Sequence, residues 1–367
     1  MQKYDVAAYV WPAYTGDEPR TRIFWPEGIG EWQTVRSAGP KFPGHLWPRK
    51  PLWGYVNEAD PYVMEMQINA ALDHGVNTFI YDWYWYEDRP FLEQCLDNGF
   101  LKARNNSKMK FFINWANHDA NHIWCKQLAS QMCGEVIWNG FVSRAVFEKI
   151  AHRWIEQYFA QPNYYTIGGK PLFMIHDALN FVKGMGGIEQ ARSAVEWFRA
   201  EAVRSGFPGL ELLMCTGAPT GEWDPFAEQT FTRQKLITEL GFDGATTYGF
   251  LDVTYMDRDY MEVLEDVKQV RSDYFDTFPV PYYPNVAVGW DTSPRHETKV
   301  GQVCRNNTPD NFECALRDAK EYVASHNLPA PLITLNSWNE WTETSYLQPD
   351  DLYGYRYLQA VKRVFCE

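Results

Sequence analysis

A chain of 367 residues, 45% hydrophobic and 22% charged, can bury a large core, which excludes a small stapled scaffold and a disordered chain. Lys and Arg number 34 against 47 Asp and Glu, and the net charge of -13 leaves no positive field to hold nucleic acid or an anionic membrane surface. Aromatic residues reach 16%, with 16 Trp, 22 Tyr and 22 Phe, more hydrogen-bonding rings than a core needs and a composition suited to stacking on sugars.

The seven cysteines contain no C-x-x-C pair and read as reduced thiols, so neither a disulfide framework nor a zinc site is expected. No apolar leader precedes Tyr4 and no apolar run is long enough to span a bilayer, so the sequence reads as cytoplasmic, with no membrane partner.

Short apolar runs alternate with longer amphipathic stretches, and no Gly/Ser linker or charge block divides them, so residues 1–367 read as a single domain. The first strand is predicted over Tyr4–Val10. A long loop from Trp11 to Ala59, rich in Trp, Pro and Gly, follows it and is expected to build one wall of a site. Asp60-Pro61 starts a helix over Pro61–His74, and Gly75 stops it. Strand Thr78–Trp83 then precedes helix Pro90–Ala103, Lys110–Trp115 precedes Ser143–Phe159, and Pro171–His176 precedes Ile188–Ser205. Leu210–Thr216 precedes Phe226–Leu240, Gly244–Tyr248 precedes Tyr260–Tyr274, Asn285–Trp290 precedes Pro309–Ser325, and Pro331–Asn336 precedes Asp351–Phe365. Eight strands alternating with eight helices predict an α/β fold, a (β/α)8 TIM barrel with long βα loops, whose site lies at the carboxyl ends of the strands. A doubly wound sheet is the rival, but no G-x-G-x-x-G or phosphate loop follows the first strand, and Gly184-Met185-Gly186-Gly187 has the wrong place and spacing.

Strand ends should therefore carry the chemistry. A parallel barrel strand is buried on both faces, so polar groups and indoles gathered at its end need a ligand or a hydrogen-bond network. The substrate-binding candidates are Trp11, Asp82, Trp85, Trp115, Asn117, His118, Tyr248, Trp290, Asp291, Asn339 and Trp341. The densest group follows the last strand, Asn336-Ser337-Trp338-Asn339-Glu340-Trp341-Thr342-Glu343. Glu340 and Glu343, three apart, fall on one side of a helical turn. Such a pair suits glycoside hydrolysis, in which one carboxyl protonates the leaving oxygen and the other acts as nucleophile or base. Trp338 and Trp341 would supply an apolar wall that raises a carboxyl pKa. Both Glu residues are the catalytic candidates; the structural alternative is a cap on a backbone amine or a pair with an arginine.

Asp82 and Asp291 could bind sugar hydroxyls, act as the second catalytic group, or orient a barrel-mouth arginine such as Arg295. Asn117-His118-Asp119 with His176 does not supply the three ligands of a catalytic metal site, so no metal or other cofactor is expected. Asp257-Arg258-Asp259 has the D-x-D form that binds a nucleotide-sugar metal in some glycosyltransferases, or reads as a solvated helix start. With no G-x-S-x-G and no electropositive setting for Cys215, acyl transfer is disfavoured.

The ordered set Pro43-Gly44-His45, Pro51-Leu52-Trp53-Gly54-Tyr55, Asp60-Pro61-Tyr62-Val63-Met64, Tyr81-Asp82-Trp83-Tyr84-Trp85, Asn114-Trp115-Ala116-Asn117, Gly289-Trp290-Asp291 with Pro294-Arg295, and Trp338-Asn339-Glu340-Trp341-Thr342-Glu343 resembles the WbsX-like proteins, relatives of glycoside hydrolase family 99. The resemblance covers nearly the whole chain, and its last block is the most specific. It implies a (β/α)8 barrel that cleaves internal α-mannosidic bonds with retention. On this likeness Glu340 would deprotonate a substrate 2-hydroxyl to give a 1,2-anhydro sugar, and Glu343 would be the general acid/base at the glycosidic oxygen. The sequence departs from the family at Thr344, where a Gly is usual, and at Gln348, where many relatives have Glu in an L-E-P segment. WbsX-like domains also occur within polysaccharide-assembly proteins labelled glycosyltransferases. The expectation is a retaining glycoside hydrolase whose partner is an oligosaccharide or polysaccharide with an α linkage. The alternatives are a nucleotide-sugar glycosyltransferase using Asp257 and Asp259, and a carbohydrate-binding protein without catalysis.

Overall fold

A computed structural model describes residues 3–16, 18, 20–124, 135–216, 222–224, 229–297 and 301–367. Eight parallel strands form a barrel: β1 (Asp5–Val10), β2 (Thr78–Tyr86), β3 (Lys110–Trp115), β4 (Lys170–Ile175), β5 (Glu211–Cys215), β6 (Gly244–Thr246), β7 (Asn285–Ala287) and β8 (Leu332–Asn336). Neighbours pair in the order β6-β5-β4-β3-β2-β1-β8-β7. The ring is completed on the run leading into β7, where Ala245 N–H donates to Pro281 O (3.0 Å) and Tyr283 N–H donates to Ala245 O (2.8 Å).

Around it lie α1 (Trp32–Ser37), α2 (Pro61–Asp73), α3 (Arg144–Arg153), α4 (Ala178–Met185), α5 (Ile188–Arg204), α6 (Arg233–Leu240), α7 (Tyr260–Thr277), α8 (Pro309–Ser325) and α9 (Arg356–Phe365). Several start where a side chain satisfies an end amine: Asp60 accepts from Tyr62 N–H, Ser143 from Val146 N–H, Asp259 from Met261 N–H and Thr308 from Asn311 N–H. Among the described residues no helix is long and apolar enough to cross a membrane. Cys95 and Cys304 are free thiols and buried, Cys215 is buried, Cys314 and Cys366 are free and exposed, and Cys125 and Cys133 lie outside the described residues.

Strand parity decides what reaches the barrel axis. Every residue of β2 is buried, as a strand covered on both faces requires. Side chains alternate, so Phe79 and Tyr81 meet Phe100, and Trp83 meets Trp154, in the helical layer. Asp82 and Tyr84 point the other way, toward the mouth of the barrel.

Three expectations are corrected. Strand β2 runs three residues past Trp83 and turns back as a hairpin with Arg89–Phe91, and the helix expected over Pro90–Ala103 is only a π-helical turn, Cys95–Phe100. Arg20 donates to the carbonyls of Arg89 and Pro90, and Glu18 accepts from Leu92 N–H, so the first loop holds this segment extended. The last helix starts at Arg356 rather than Asp351 because Asp350 accepts from the N–H groups of Leu352 and Tyr353 and fixes a turn. The helix expected over Phe226–Leu240 begins at Arg233; residues 225–228 lie outside the described residues. Helix α4 was not anticipated, and Asp177 caps it at Asn180 N–H.

The surplus of aromatic residues serves mainly packing. Trp11, Tyr14, Phe24, Trp25, Trp32, Tyr84, Phe91 and Trp124 form a second core that seats the first loop on the barrel mouth.

Candidate active site

After β8 the chain makes a two-residue hairpin, Asn339–Glu340 against Ser345–Tyr346, bridged by a 3₁₀ turn over Trp341–Glu343. With three residues per turn, positions i and i+3 stack, which brings Glu340 and Glu343 to one side as their spacing predicts. The turn ends on Thr344 in the left-handed region, φ 56° and ψ 30°. A β-branched residue is strained there by about 1–2 kcal/mol. Its hydroxyl accepts from Trp47 Nε1 (3.2 Å) and donates to Asp291 O (3.1 Å), two bonds that offset the strain.

A cavity of about 220 Å³ opens over this turn. Arg295, delivered by a short 3₁₀ turn after β7, forms its electrostatic centre. Its Nη1 donates to Glu343 Oε1 (2.7 Å) and its Nη2 to Glu340 Oε2 (3.5 Å). Its Nε faces Thr342 Oγ1 (2.8 Å) and Glu31 Oε1 (3.3 Å). One guanidinium thus meets three carboxylates, all of them largely buried. Burial pushes Glu340 well above the usual carboxylate range, and its neighbour Glu343 adds to the shift. Burial also raises Glu343, opposed by Arg295. Burial works against the charge of Arg295, yet the carboxylates of Glu31, Glu343 and Glu340 outweigh it and hold the group protonated.

Tyr248 ties a third acid to the pair. Its hydroxyl lies 2.8 Å from Glu340 Oε1 and 3.1 Å from Asp82 Oδ2. One phenolic proton serves one acceptor, so both contacts are hydrogen bonds only when a carboxyl proton is also present. Burial pushes Asp82 up to about 7, against hydrogen bonds from Asn114 and Tyr248, which fits such sharing. Asn114 Nδ2 reaches both Asp82 Oδ1 (2.7 Å) and His176 Nδ1 (3.3 Å), so that ring nitrogen accepts and Nε2 carries the proton. Burial lowers His176 to about 3, with His118 adding to the shift, and burial lowers His118 as well. Two neutral imidazoles therefore line the cavity, His176 beside the Asn114 that holds Asp82. Glu343 Oε2 is buried and has no hydrogen-bond partner among the described residues, leaving an acceptor in the cavity wall for a ligand hydroxyl.

Seven sequence-predicted residues line this cavity: Trp11, Asp82, His118, Tyr248, Trp290, Glu340 and Glu343. Six do not. Trp85 and Trp115 fall on the outward parity of β2 and β3. Trp85 stacks on Trp83, and Trp115 packs on Phe147, Trp154 and Phe181. Asn117 exchanges two hydrogen bonds with the backbone of Asp177 and so anchors α4. Asn339 clamps the backbone of Trp11 and donates to Glu58, beneath the 3₁₀ turn rather than in the cavity. Trp341 stacks on Tyr346 (3.8 Å) and donates to Gln348. Asp291 belongs to a neighbouring cavity and pairs with His45 at 2.7 Å, not with Arg295. The apolar wall expected from Trp338 and Trp341 is built instead by Trp11, Tyr84, Trp124 and Trp290, since Trp338 is buried against Phe79 and donates to Gln67.

Glu31, Tyr84, Trp124 and His176 were missed as site-forming residues. Tyr84 and His176 stand at strand ends and were legible by parity; Glu31 and Trp124 lie in loops, where no period marks them. Asp257 pairs with Arg305, and Asp259 caps α7 and accepts from Asn306, so the D-x-D segment is a helix start outside the cavity. Among the described residues no group of three or more His, Cys, Asp or Glu is placed to hold a metal ion.

Fold and site together define an eight-stranded barrel with a buried, arginine-bridged carboxylate pair at the carboxyl ends of its strands. The chain belongs to the family described as Glycosyltransferase WbsX, whose pattern it matches over residues 6–361. It is 25% identical over 364 residues to Uncharacterized protein WxcX of Xanthomonas campestris pv. campestris (strain B100), a match that covers 94% of this chain and 47% of the relative. The chain thus spans about half the length of the curated relatives it matches. Among solved structures, the GH99 endo-alpha-mannosidase from Bacteroides thetaiotaomicron superposes with a TM-score of 0.58 at 14% identity, over 98% of this chain and 95% of that one. A glycoside hydrolase-like protein superposes with a TM-score of 0.64 at 14% identity, over 100% and 94%. At such identities the likeness is one of fold.

Proposed function

We propose that this chain is a retaining glycoside hydrolase acting on an α-linked glycan, with Glu340 and Glu343 as its catalytic residues. The observation that carries the reading is the Arg295 bridge between the two carboxyls, with Glu343 Oε2 left without a partner among the described residues. Burial of two acids beside one guanidinium favours one proton held between them, the state that acid–base cleavage needs. At rest that proton favours Glu340, which burial and Glu343 raise further; the reaction runs from the arrangement with the proton on Glu343, which passes it to the glycosidic oxygen. Glu340, kept ionised at that moment by donors on Tyr248 and Arg295, takes the proton of the substrate 2-hydroxyl. The freed oxygen displaces the leaving group and closes a 1,2-anhydro ring. Water, deprotonated by Glu343, then opens the ring at the anomeric carbon while Glu340 returns its proton, and two inversions give net retention. Trp11, Trp290 and Tyr84 supply apolar surface for sugar faces.

The test incubates wild type, Glu343→Gln and Glu340→Gln with a panel of α-linked oligosaccharides, without nucleotide or added metal, following products by mass and anomeric ¹H NMR. Wild type is expected to cleave a panel member with retained α configuration. Each variant should lose about 10²–10⁴ in turnover, the scale of general acid–base catalysis. Undiminished cleavage by Glu343→Gln overturns the assignment. The family description favours a second reading, transfer from a nucleotide sugar. Consumption of a UDP- or GDP-sugar in the presence of a glycan acceptor, with the panel uncleaved, would replace hydrolysis by transfer.

A further inference from the structure

A second cavity, of about 320 Å³, adjoins the first on the same face of the barrel. The two share a wall one backbone thick: Trp290 and Glu343 line the first, and the next residues in the chain, Asp291 and Thr344, line the second. Pro43, Gly44, Leu46 and Arg305 on its rim are exposed, so it opens to solvent.

Arg49 stands in its lining with 6% of its surface exposed. Three arginines are buried among the described residues, and the other two are paired: Arg271 with Asp318, and Arg295 with three glutamates. Arg49 makes no ion pair among the described residues. Its Nε donates to Leu46 O (3.1 Å) and its Nη1 to the Tyr346 hydroxyl (3.3 Å), while its Nη2 has no hydrogen-bond partner there. Asp350 compensates it only at one remove, through the Tyr346 hydroxyl that donates to Asp350 Oδ2 (2.8 Å). Burial works against the charge of Arg49, and what offsets it within the protein is Tyr346, Tyr357 and Asp350 rather than a contacting carboxylate, so the guanidinium keeps its charge and can still take a direct anion.

The remaining charges of the lining are already satisfied. Asp291 accepts from Ser293 N–H at Oδ1 (2.8 Å) and from His45 Nε2 at Oδ2 (2.7 Å), and Lys41 N–H donates to His45 Nδ1, which fixes that tautomer. Arg305 pairs with Asp257. The lining therefore presents two guanidiniums and one carboxylate whose oxygens are already taken up by hydrogen bonds, in a chain whose net charge is -13.

We propose that the second cavity receives an anionic group, a carboxylate or a sulfate or phosphate ester, on the sugar residue next to the one held over Glu340 and Glu343, and that Arg49 is its receptor. The proposal rests on the glycan reading above for the identity of the carrier. The planar fork of a guanidinium matches a carboxylate or an ester oxyanion through two parallel hydrogen bonds.

The test is calorimetric titration of the full chain at fixed ionic strength with glucose and galactose as neutral probes, and with glucuronate, galacturonate, glucose 6-sulfate and glucose 6-phosphate as anionic ones. At least one anionic probe is expected to bind about tenfold or more tightly than its neutral parent, the gain of one charge-assisted pair. Arg49→Gln should abolish that preference and Arg49→Lys should restore part of it. A preference for uronates alone assigns a carboxylate, and one for the 6-esters assigns sulfate or phosphate. Equal binding of neutral and anionic probes by wild type overturns the proposal even if Arg49→Gln fails to fold. A preference that survives in a folded Arg49→Gln overturns it too. Failure of the hydrolase reading is distinguishable, because it is read from the uncleaved oligosaccharide panel and leaves the anion preference standing.

Discussion

Arg295 carries one positive charge and faces Glu31, Glu340 and Glu343, and this imbalance sets the electrostatics of the cavity. Glu31 touches neither Glu340 nor Glu343, but its charge raises both and competes for Arg295. Replacing it by Gln removes one negative charge and frees Arg295 for the pair. The expected outcome is that the pH profile of kcat/KM for panel cleavage moves to lower pH. A purely structural role would lower activity evenly across pH without moving the limbs, so the profile decides between them. Tyr248→Phe severs Glu340 from Asp82, and kcat should fall about tenfold or more, with KM changed less, as expected when an interaction acts mainly in the transition state. A loss confined to KM would show that Tyr248 only binds substrate.

At the scale of elements, the 3₁₀ turn over Trp341–Glu343 is held from its ends. Thr344 pins one end by hydrogen bonds to Trp47 and Asp291, and Asn339 pins the other through Trp11 and Glu58. Thr344→Ala keeps the left-handed strain and removes both hydroxyl bonds, so chemical denaturation should show a loss of about 1–3 kcal/mol. A stability equal to wild type would show that those bonds do not offset the strain. How much of this was legible depends on periodicity. The eight strands were readable because each is a short, doubly buried apolar run, and Glu340 with Glu343 because an i, i+3 spacing stacks on any helical turn. Trp85 and Trp115 were misplaced because strand-end position, without parity, does not say which face a side chain takes. The segment after β2 departed from its helical pattern because Arg20 and Glu18, some seventy residues earlier in the chain, bind its backbone.

Over the whole molecule, buried acids link stability to pH. Glu58 is fully buried and accepts from Gln67, Gln348 and Asn339, yet burial outweighs those bonds and pushes it up to about 7, as it does Asp82. Each group has a folded pKa above its unfolded value. The folded state therefore binds more protons between roughly pH 4 and about 7, and the stability these groups contribute is present below that window and lost as pH rises through it. Each contributes on the order of 4 kcal/mol at most, from about 1.4 kcal/mol per pKa unit. The midpoint of thermal unfolding should accordingly be higher at pH 5 than at pH 8; a midpoint that rises over this interval would contradict the assignment.

The amino-acid sequence alone determined the barrel, the face that carries the site and the carboxylate pair, because these follow from local periodicity, burial of short apolar runs and spacing within one turn. Only the tertiary structure decided that Arg295 serves Glu340, Glu343 and Glu31 rather than Asp291, that Asp291 turns to His45, and that Arg49 is buried with no ion pair among the described residues. Those partners come from loops far apart in the chain, and charge attraction between them depends on distance and burial, which no local pattern encodes.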